Sequence, residues 1–210
     1  MLNWESCVYL RVTSKFIQNA ALMKKVLSFI ILNSCLLIFA QNLNLRNTIS
    51  EDFEFPQKLQ EDDIAIVREI SGGWTAYDYL TYYFIDNNGN INSYSEERPK
   101  KYLKNNELKT TLKNLELTED KKSKIKQLIN SMQLSEFLKF NQEDFKLKVD
   151  ENLAPPCIIS DHSTIQLTFI QNNKQNSYRY YAPKYYYEKC PQININKKML
   201  KKYIDIINLL

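Results

Sequence analysis

An apolar run near the beginning of the chain decides which residues are free to form a folded domain. Lys24 and Lys25 precede residues 26–40, which are almost entirely apolar, and a polar stretch opens at Gln41. A basic start, a short apolar middle and a small last residue are typical of a secretory signal peptide. The run is shorter than the roughly 20 apolar residues that span a bilayer. We therefore expect residues 23–40 to be a signal peptide that is cleaved from the mature chain.

The segment before this signal leaves two alternatives open. Residues 1–22 precede a signal that normally opens a chain, so we expect translation to start at Met23 and residues 1–22 to be an upstream extension. An uncleaved anchor with a tail is the alternative. A lipoprotein anchored through Cys35 is a second alternative, but apolar residues 36–39 continue the run beyond the position where a lipidated cysteine should end it.

The composition excludes several classes of function. With 44% apolar residues the chain can bury a core, while its 3 glycines leave few places for a phosphate-binding loop. A single histidine makes the usual zinc site of histidines and cysteines hard to build. Residues 1–40 hold four of the 28 basic residues and one of the 24 acidic ones, so the mature chain is nearly neutral. We expect no metal, no cofactor and no nucleic-acid partner.

Cysteine usage agrees with export. Cys157 and Cys190 are the two cysteines that follow the signal, and two thiols in an oxidising compartment most simply form one disulfide. Closing a loop of that size restricts the unfolded chain by roughly 3–4 kcal/mol. Two buried free thiols, or a catalytic cysteine paired with His162, are the alternatives. We expect a periplasmic or extracellular protein with no membrane span in its mature form.

The first half of the mature chain is β-rich. Residues 64–70 are apolar and β-branched and predict a strand. Asn88 and Gly89 then predict a two-residue hairpin turn, in which Tyr83 faces Tyr94. The core face of this hairpin is expected to carry Leu80, Tyr82 and Phe84.

The second half combines a further hairpin with two amphipathic helices. Thr118 is a helix cap, and the stripe that follows it consists of Ile125, Leu128, Ile129 and Met132. Residues 165–169 alternate apolar with polar side chains and predict a strand that returns after a polar turn at residues 171–176. Asn196 caps the last helix, whose apolar stripe is Met199, Leu200, Tyr203, Ile204 and Ile207.

These elements predict an α+β fold: an antiparallel sheet built from two hairpins and packed against two amphipathic helices. The leucines of residues 112–117 form an edge strand in this scheme. Residues 41–63 have few apolar anchors and are expected to form a polar arm or linker, which leaves residues 64–210 as a single domain.

Three short motifs carry a resemblance to a known type of protein. They are Ser71-Gly72-Gly73-Trp74, Asn88-Gly89 and Ser160-Asp161-His162-Ser163-Thr164. Together with the order of hairpins and helices, they resemble small exported bacterial α+β domains of unknown function over about residues 64–210. The resemblance implies a fold and export, and it implies no activity and no catalytic residue.

Tyrosine is the most abundant candidate for a binding residue. The candidate positions are Tyr178, Tyr180, Tyr181, Tyr185 and Tyr186. Exposed tyrosines offer large contact area at low entropic cost and a hydroxyl that forms hydrogen bonds. We therefore interpret the chain as a non-enzymatic binding module that recognises a protein or glycan through a tyrosine-rich sheet surface. The alternative is that tyrosine favours strands and lies half-buried along the sheet.

A small hydrolase is the alternative function. It would use His162 with nearby carboxylates, namely Asp161 and Asp78. Adjacent residues in an extended chain point to opposite sides, so Ser160, Asp161 and His162 do not form a catalytic triad by their spacing alone. We expect a turn that leads into the second hairpin and assign no catalytic residue.

The sequence makes one prediction about processing. The mature protein purified from its native source should begin near Gln41, and its mass should rise by the mass of two hydrogens upon reduction. Mass spectrometry of the intact chain with and without reductant measures both. A chain that begins at Met1, or a lipid mass on Cys35, would contradict it.

Overall fold

A computed structural model describes residues 42–49, 54–103, 107–145, 157, 159–190 and 196–210, all within the unit Gln41–Leu210. The strands are β1 (Asn47–Thr48), β2 (Ile64–Gly72), β3 (Tyr77–Ile85), β4 (Ile91–Pro99), β5 (Thr111–Asn114), β6 (Ser163–Gln171) and β7 (Lys174–Tyr181). The helices are α1 (Glu119–Ile129), α2 (Met132–Phe137), a 3-10 helix (Gln142–Phe145), α3 (Pro183–Lys189) and α4 (Lys197–Leu209).

The seven strands form one antiparallel sheet in the order β1-β7-β6-β2-β3-β4-β5. Strand β2 lies at its centre and separates the predicted hairpins β3–β4 and β6–β7. Strand β5 is an edge strand, as expected from the leucines of residues 112–117. The α+β class and the antiparallel sheet are therefore confirmed, and α2 and α3 add to the two predicted helices. No helix among the described residues is long and apolar enough to cross a membrane.

The larger core lies between one face of the sheet, here called the helix face, and the helices. Thr118 caps α1 and Asn196 caps α4, as predicted, and each side chain accepts a backbone N–H three residues later. The buried side chains that meet here include Ile66, Tyr83, Leu128, Phe137, Leu167, Phe169, Tyr178 and Tyr203. Met132, expected on the α1 stripe, is instead 77% exposed, because α1 ends at Ile129 and Met132 begins α2 after the cap Ser131.

The opposite face of the sheet, here called the outer face, holds a smaller core. Its buried residues are Ala65, Val67, Leu80, Tyr82, Phe84 and Ile170. The expectation that Leu80, Tyr82 and Phe84 line the core is correct for this smaller core, whereas the core under the helices takes Tyr83 and Ile85 from the same strand. Both faces of β3 are buried at this end because two different layers cover the sheet.

The second covering layer comes from described residues of the expected polar arm, residues 41–63. Phe55 and Leu59 pack on the smaller core from outside the sheet, and Leu43 and Leu45 are buried in the larger one. The Leu43 backbone N–H donates to Gln171 Oε1 at 2.7 Å. The few apolar residues of this segment therefore serve as anchors on both sides of the sheet.

The first hairpin turns differently from the prediction. Tyr82 pairs with Tyr94 and Tyr83 with Ser93, one position away from the register that a two-residue Asn88-Gly89 turn imposes. The cause is Asp86, whose carboxylate accepts the backbone N–H of Asn88 at 2.9 Å and that of Asn90 at 2.7 Å. These bonds favour a longer turn with Gly89 at φ 77°, a conformation that costs glycine little.

The second hairpin turns more tightly than predicted. Residues 171–176 were expected to form its turn, but β6 runs to Gln171 and β7 begins at Lys174. Asn172 and Asn173 alone make the turn, with φ of 51° and 58°. Asparagine tolerates this left-handed conformation better than most residues, and two such positions give the hairpin turn that matches strand twist.

Cys157 and Cys190 form a disulfide, as predicted, with their Cα atoms 5.9 Å apart. Cys157 precedes β6 and Cys190 follows α3, so the bridge closes a loop that contains the whole β6–β7 hairpin and α3. It fastens the two ends of this half of the sheet together.

The burial of Leu43 and Leu45 predicts a stability effect. Replacing Leu45, which is 5% exposed, by Ala should lower the free energy of unfolding by about 2–5 kcal/mol, because it leaves a cavity in the larger core. Leu112→Ala is the matched control: Leu112 is 48% exposed and its truncation should cost less than about 0.5 kcal/mol. Urea denaturation measures both. Equal, small effects would show that the amino-terminal segment is not part of the fold.

Candidate functional site

The side chains on the outer face of the sheet change from apolar to polar along the strands. Beyond the smaller core it carries polar side chains, which we call the polar face: Glu69, Ser71, Asp78, Glu96, Arg98, Thr164, Gln166, Arg179 and Tyr181. Strand register puts them on one side, since directly paired residues share a face. Glu69 pairs with Gln166, and Gln166 pairs with Arg179. The buried residues of α1, α2 and α4 all belong to the core on the other side of the sheet.

One buried carboxylate organises the β3–β4 side of the polar face. Glu96 is 8% exposed, and it accepts two bonds from the Arg98 guanidinium, at 2.8 Å from Nε and 3.1 Å from Nη2. The Tyr82 hydroxyl donates to the same carboxylate. Burial, followed by this bond, raises the pKa of Tyr82 well above its ordinary value. A carboxylate that is paired and hydrogen-bonded tolerates burial, so the Glu96 carboxylate holds Tyr82 and Arg98 together on this side of the site.

Burial and neighbouring charges perturb the carboxyl group of Glu69. Burial raises the pKa of its carboxyl, and the negative charges of Asp78 and Glu96 raise it further. The positive charges of Arg98 and Arg179 partly oppose this effect. Glu69 therefore lies between two cations and beside two anions at the centre of the sheet, where it can accept or share hydrogen bonds with a ligand.

The loop after β2 borders this face with an aromatic ring. Gly72 and Gly73 have φ of 88° and 65°, a region that residues with a Cβ rarely adopt, and both carbonyls accept bonds from Lys100 Nζ at 3.0 and 3.1 Å. The loop is thereby tied to the end of β4. Trp74 follows directly and is 89% exposed. The loop presents a large ring at the polar end of the sheet.

The predicted tyrosines divide into buried and half-buried positions. Tyr178 is 1% exposed: its ring packs on Phe137 and its hydroxyl donates to the Phe140 carbonyl at 2.9 Å. Tyr178, one of the predicted binding residues, therefore offers almost no exposed surface to a partner, because β7 turns Tyr178 and Tyr180 to the helix face. Tyr180 is half-buried against Phe145, and burial raises its pKa to about 12.

The other three tyrosines lie at the end of β7 and in α3, and we call them the tyrosine edge: Tyr181, Tyr185 and Tyr186. Tyr181 belongs to the polar face, whereas Tyr186 packs against the larger core. Their rings form a chain, with centroids 6.4 Å apart for Tyr181 and Tyr186 and 5.7 Å apart for Tyr185 and Tyr186. All three are half-buried. Their remaining exposed surface is open to a ligand, although the Tyr181 hydroxyl accepts the His162 backbone N–H at 2.9 Å.

The described contacts of His162 are with residues close to it, Ser163 and Tyr181. Its Nδ1 accepts the Ser163 backbone N–H at 2.9 Å, and its ring lies 6.2 Å from that of Tyr181. The described hydrogen bonds of His162 involve neither Asp161 nor Asp78. Asp161 itself has a φ of 60°, which agrees with the predicted turn before the second hairpin. The catalytic set of the alternative hypothesis is not assembled by these contacts.

Two grooves among the described residues lie away from the polar face. A groove of about 410 Å³ between β4, β5 and the start of α1 is lined by Ser93, Asn114 and Lys122 among others. Another of about 380 Å³ lies between Leu59 and the turn at Asn172. Among the described residues, no three His, Cys, Asp or Glu side chains form a group that could hold a metal ion.

Sequence reasoning missed the polar face because its members come from five strands. A local signal exists only within β2, where apolar residues 64–67 are followed by Arg68 and Glu69 in a strand that is otherwise fit for burial. Two adjacent charges in such a strand point to opposite faces and mark where burial ends on each.

Comparison of the chain with models of known protein families and with curated proteins finds no match. The assignment of function therefore depends on the geometry of the site.

The raised pKa of Glu69 predicts a pH-dependent effect on stability. The folded state favours protonated Glu69, so ionisation of this group weakens folding as the pH rises from its unfolded pKa of about 4.3 through the raised folded value. Glu69→Gln should therefore raise the melting temperature at pH 7, and the gain should shrink to nothing near pH 3.5.

Glu97→Gln serves as the control, since Glu97 is exposed on the helix face of β4 and its replacement should change the melting temperature little at either pH. Thermal denaturation by circular dichroism gives all values. A Glu69→Gln variant that is less stable than the native protein at pH 7 would contradict the electrostatic account of this face.

Proposed function

We propose that the protein is an exported, non-enzymatic binding module that holds a glycan on the polar face, with the tyrosine edge and Trp74 as aromatic contacts. The observation that carries the proposal is the row Glu69, Gln166 and Arg179, three side chains of complementary hydrogen-bonding type on adjacent strands of an open sheet surface. Carboxylate, amide and guanidinium groups together donate to and accept from hydroxyl groups.

The polar centre of this surface favours a glycan over a protein partner. Protein interfaces are depleted of charged residues at their core and place them at the rim. Here the arrangement is reversed: Glu69 lies on β2, the central strand of the face, while the exposed ring of Trp74 lies in the loop at the end of that strand. A glycan matches this surface better than a protein does. Its many hydroxyls can face the charged centre, and the rings at the border can cover the apolar faces of its sugars.

The position of the two described grooves supports binding without chemistry at the polar face. Neither described groove includes a residue of this face, whereas enzyme sites are usually concave and enclose their substrate. Glu69 has a perturbed pKa, which is a frequent property of catalytic groups, but its environment accounts for the shift through burial and neighbouring charges.

Export is part of the proposal. Its support is the basic and apolar pattern of residues 23–40 and the disulfide between Cys157 and Cys190. A periplasmic or extracellular location would also bring the polar face into contact with cell-surface and environmental polysaccharides.

Affinity electrophoresis tests the proposal, with gels that contain neutral, acidic or basic soluble polysaccharides. Because the charges of the polar face largely balance, at least one neutral polysaccharide should retard the native protein. Gln166→Ala combined with Arg179→Ala should weaken this retardation at least tenfold, since the double variant removes two of the three hydrogen-bonding groups of the central row.

Lys174→Ala is the matched control, because Lys174 is an exposed cation on the same strand as Arg179 but at its other end. It should leave retardation unchanged. Circular dichroism melting curves confirm that each variant is folded. The proposal fails if no polysaccharide retards the native protein, or if the double variant and the control lose retardation equally.

A further inference from the structure

The helix face of the sheet carries a polar row of its own. Arg68 on β2 pairs with Thr81, Thr81 pairs with Ser95, and Ser95 pairs with Lys113 on the edge strand. Paired residues lie side by side on one face, so these four side chains form a continuous line across four strands. Leu167, which pairs with Arg68 on its other side, is fully buried in the larger core and identifies this face as the one that bears the helices.

Arg68 is half-buried, and one atom of its guanidinium lacks the partner that a buried donor normally has. Its Nε is buried and has no hydrogen-bond partner among the described residues, and no ion pair joins Arg68 to any of their carboxylates. A buried donor without a partner loses its hydration and gains nothing in return. Arginine at such a position is typical of sites where an external anion supplies the missing acceptors.

A second cation lies near Arg68. Lys121, in the first turn of α1, is half-buried, and burial together with the positive charge of Arg68 lowers the pKa of its amino group. Asp120, its acidic neighbour, already binds Lys124 Nζ at 2.6 Å. Two partly desolvated cations close to one another repel, and an anion between them would relieve the repulsion.

Other groups that face this row fit the same assignment. Tyr83 lies within the electrostatic range of Arg68, and its hydroxyl is already bonded to the Leu210 carbonyl. Glu97 lies one row further toward the sheet end, where it is exposed and marks the border of the cationic patch. Thr81 and Ser95 supply hydroxyl donors in the centre of the row.

From this arrangement we propose an oxyanion-binding site on the helix face, formed by Arg68, Thr81, Ser95, Lys113 and Lys121, that takes a phosphate or sulfate group. Arg68 Nε provides a buried donor that lacks an acceptor, the two hydroxyls complete the coordination, and the lysines balance the charge. The site lies on the opposite face of the sheet from the proposed glycan surface and stands independently of it.

Isothermal titration calorimetry of the purified protein with inorganic phosphate, and separately with sulfate, tests the site. All solutions are matched in ionic strength with chloride. We expect saturable binding of at least one of the two anions with a stoichiometry of one. Arg68→Met and Lys121→Met should each weaken it at least tenfold, whereas Lys124→Met, on the exposed side of the same helix, should change it less than twofold.

Thermal stability without the anion provides the second readout. Arg68→Met keeps the apolar stem and removes the unpartnered donor, so its melting temperature in chloride should equal or exceed that of the native protein. The native protein, unlike the variant, should gain stability when the bound anion is added. Absence of saturable heat for both anions, equal weakening by Lys124→Met, or a lower melting temperature of Arg68→Met in chloride would each overturn the assignment.

Discussion

Burial of strand β2 from both sides is the constraint on which the other features of this fold depend. Residues 64–67 are buried without exception, two of them toward the helices and two toward the segment that carries Phe55 and Leu59. An antiparallel sheet usually has one covered and one solvated face, with alternating polarity along each strand. Here the central strand requires two covers, and the segment of Phe55 and Leu59 supplies the second one.

The same strand also sets the limits of the two cores. After Val67 it places Arg68 toward the helices and Glu69 toward the outer face, so each face changes from apolar to charged at the same level. Neighbouring strands follow this change: Gln166 and Arg179 extend the outer row, and Thr81 extends the inner one. The end of the sheet that contains residues 64–67 is thereby covered on both faces, while the other end presents a different polar surface on each face.

Local patterns in the sequence were sufficient for much of this architecture. The caps Thr118 and Asn196, the apolar stripe of α4 and the disulfide follow from residue types at short spacing. The hairpin registers were not predictable in this way, because the bonds of Asp86 to Asn88 and Asn90 compete with the Asn88-Gly89 turn preference and prevail.

The candidate site was harder to predict, because it depends on strand order. The segment that holds five predicted binding tyrosines spans both faces of the sheet edge, and only the pairing of β7 with β6 decides that Tyr178 is buried and Tyr181 is not. Similarly, more than half of the folded chain separates Glu69 from Gln166 in the sequence. Glu69 becomes a neighbour of Gln166 and Arg179 only because β6 pairs with β2. Long-range pairing of this kind leaves no local signal.

Native-state hydrogen exchange tests the two-sided burial of β2 most directly. If both covers are present, the amides of Ala65, Ile66 and Val67 should exchange only through global unfolding, with a protection free energy equal to that from denaturant unfolding. The amides of the edge strand β5 should exchange through smaller, local openings. Exchange of residues 65–67 as fast as that of β5 would contradict the account, since a strand sealed on both faces cannot open on its own.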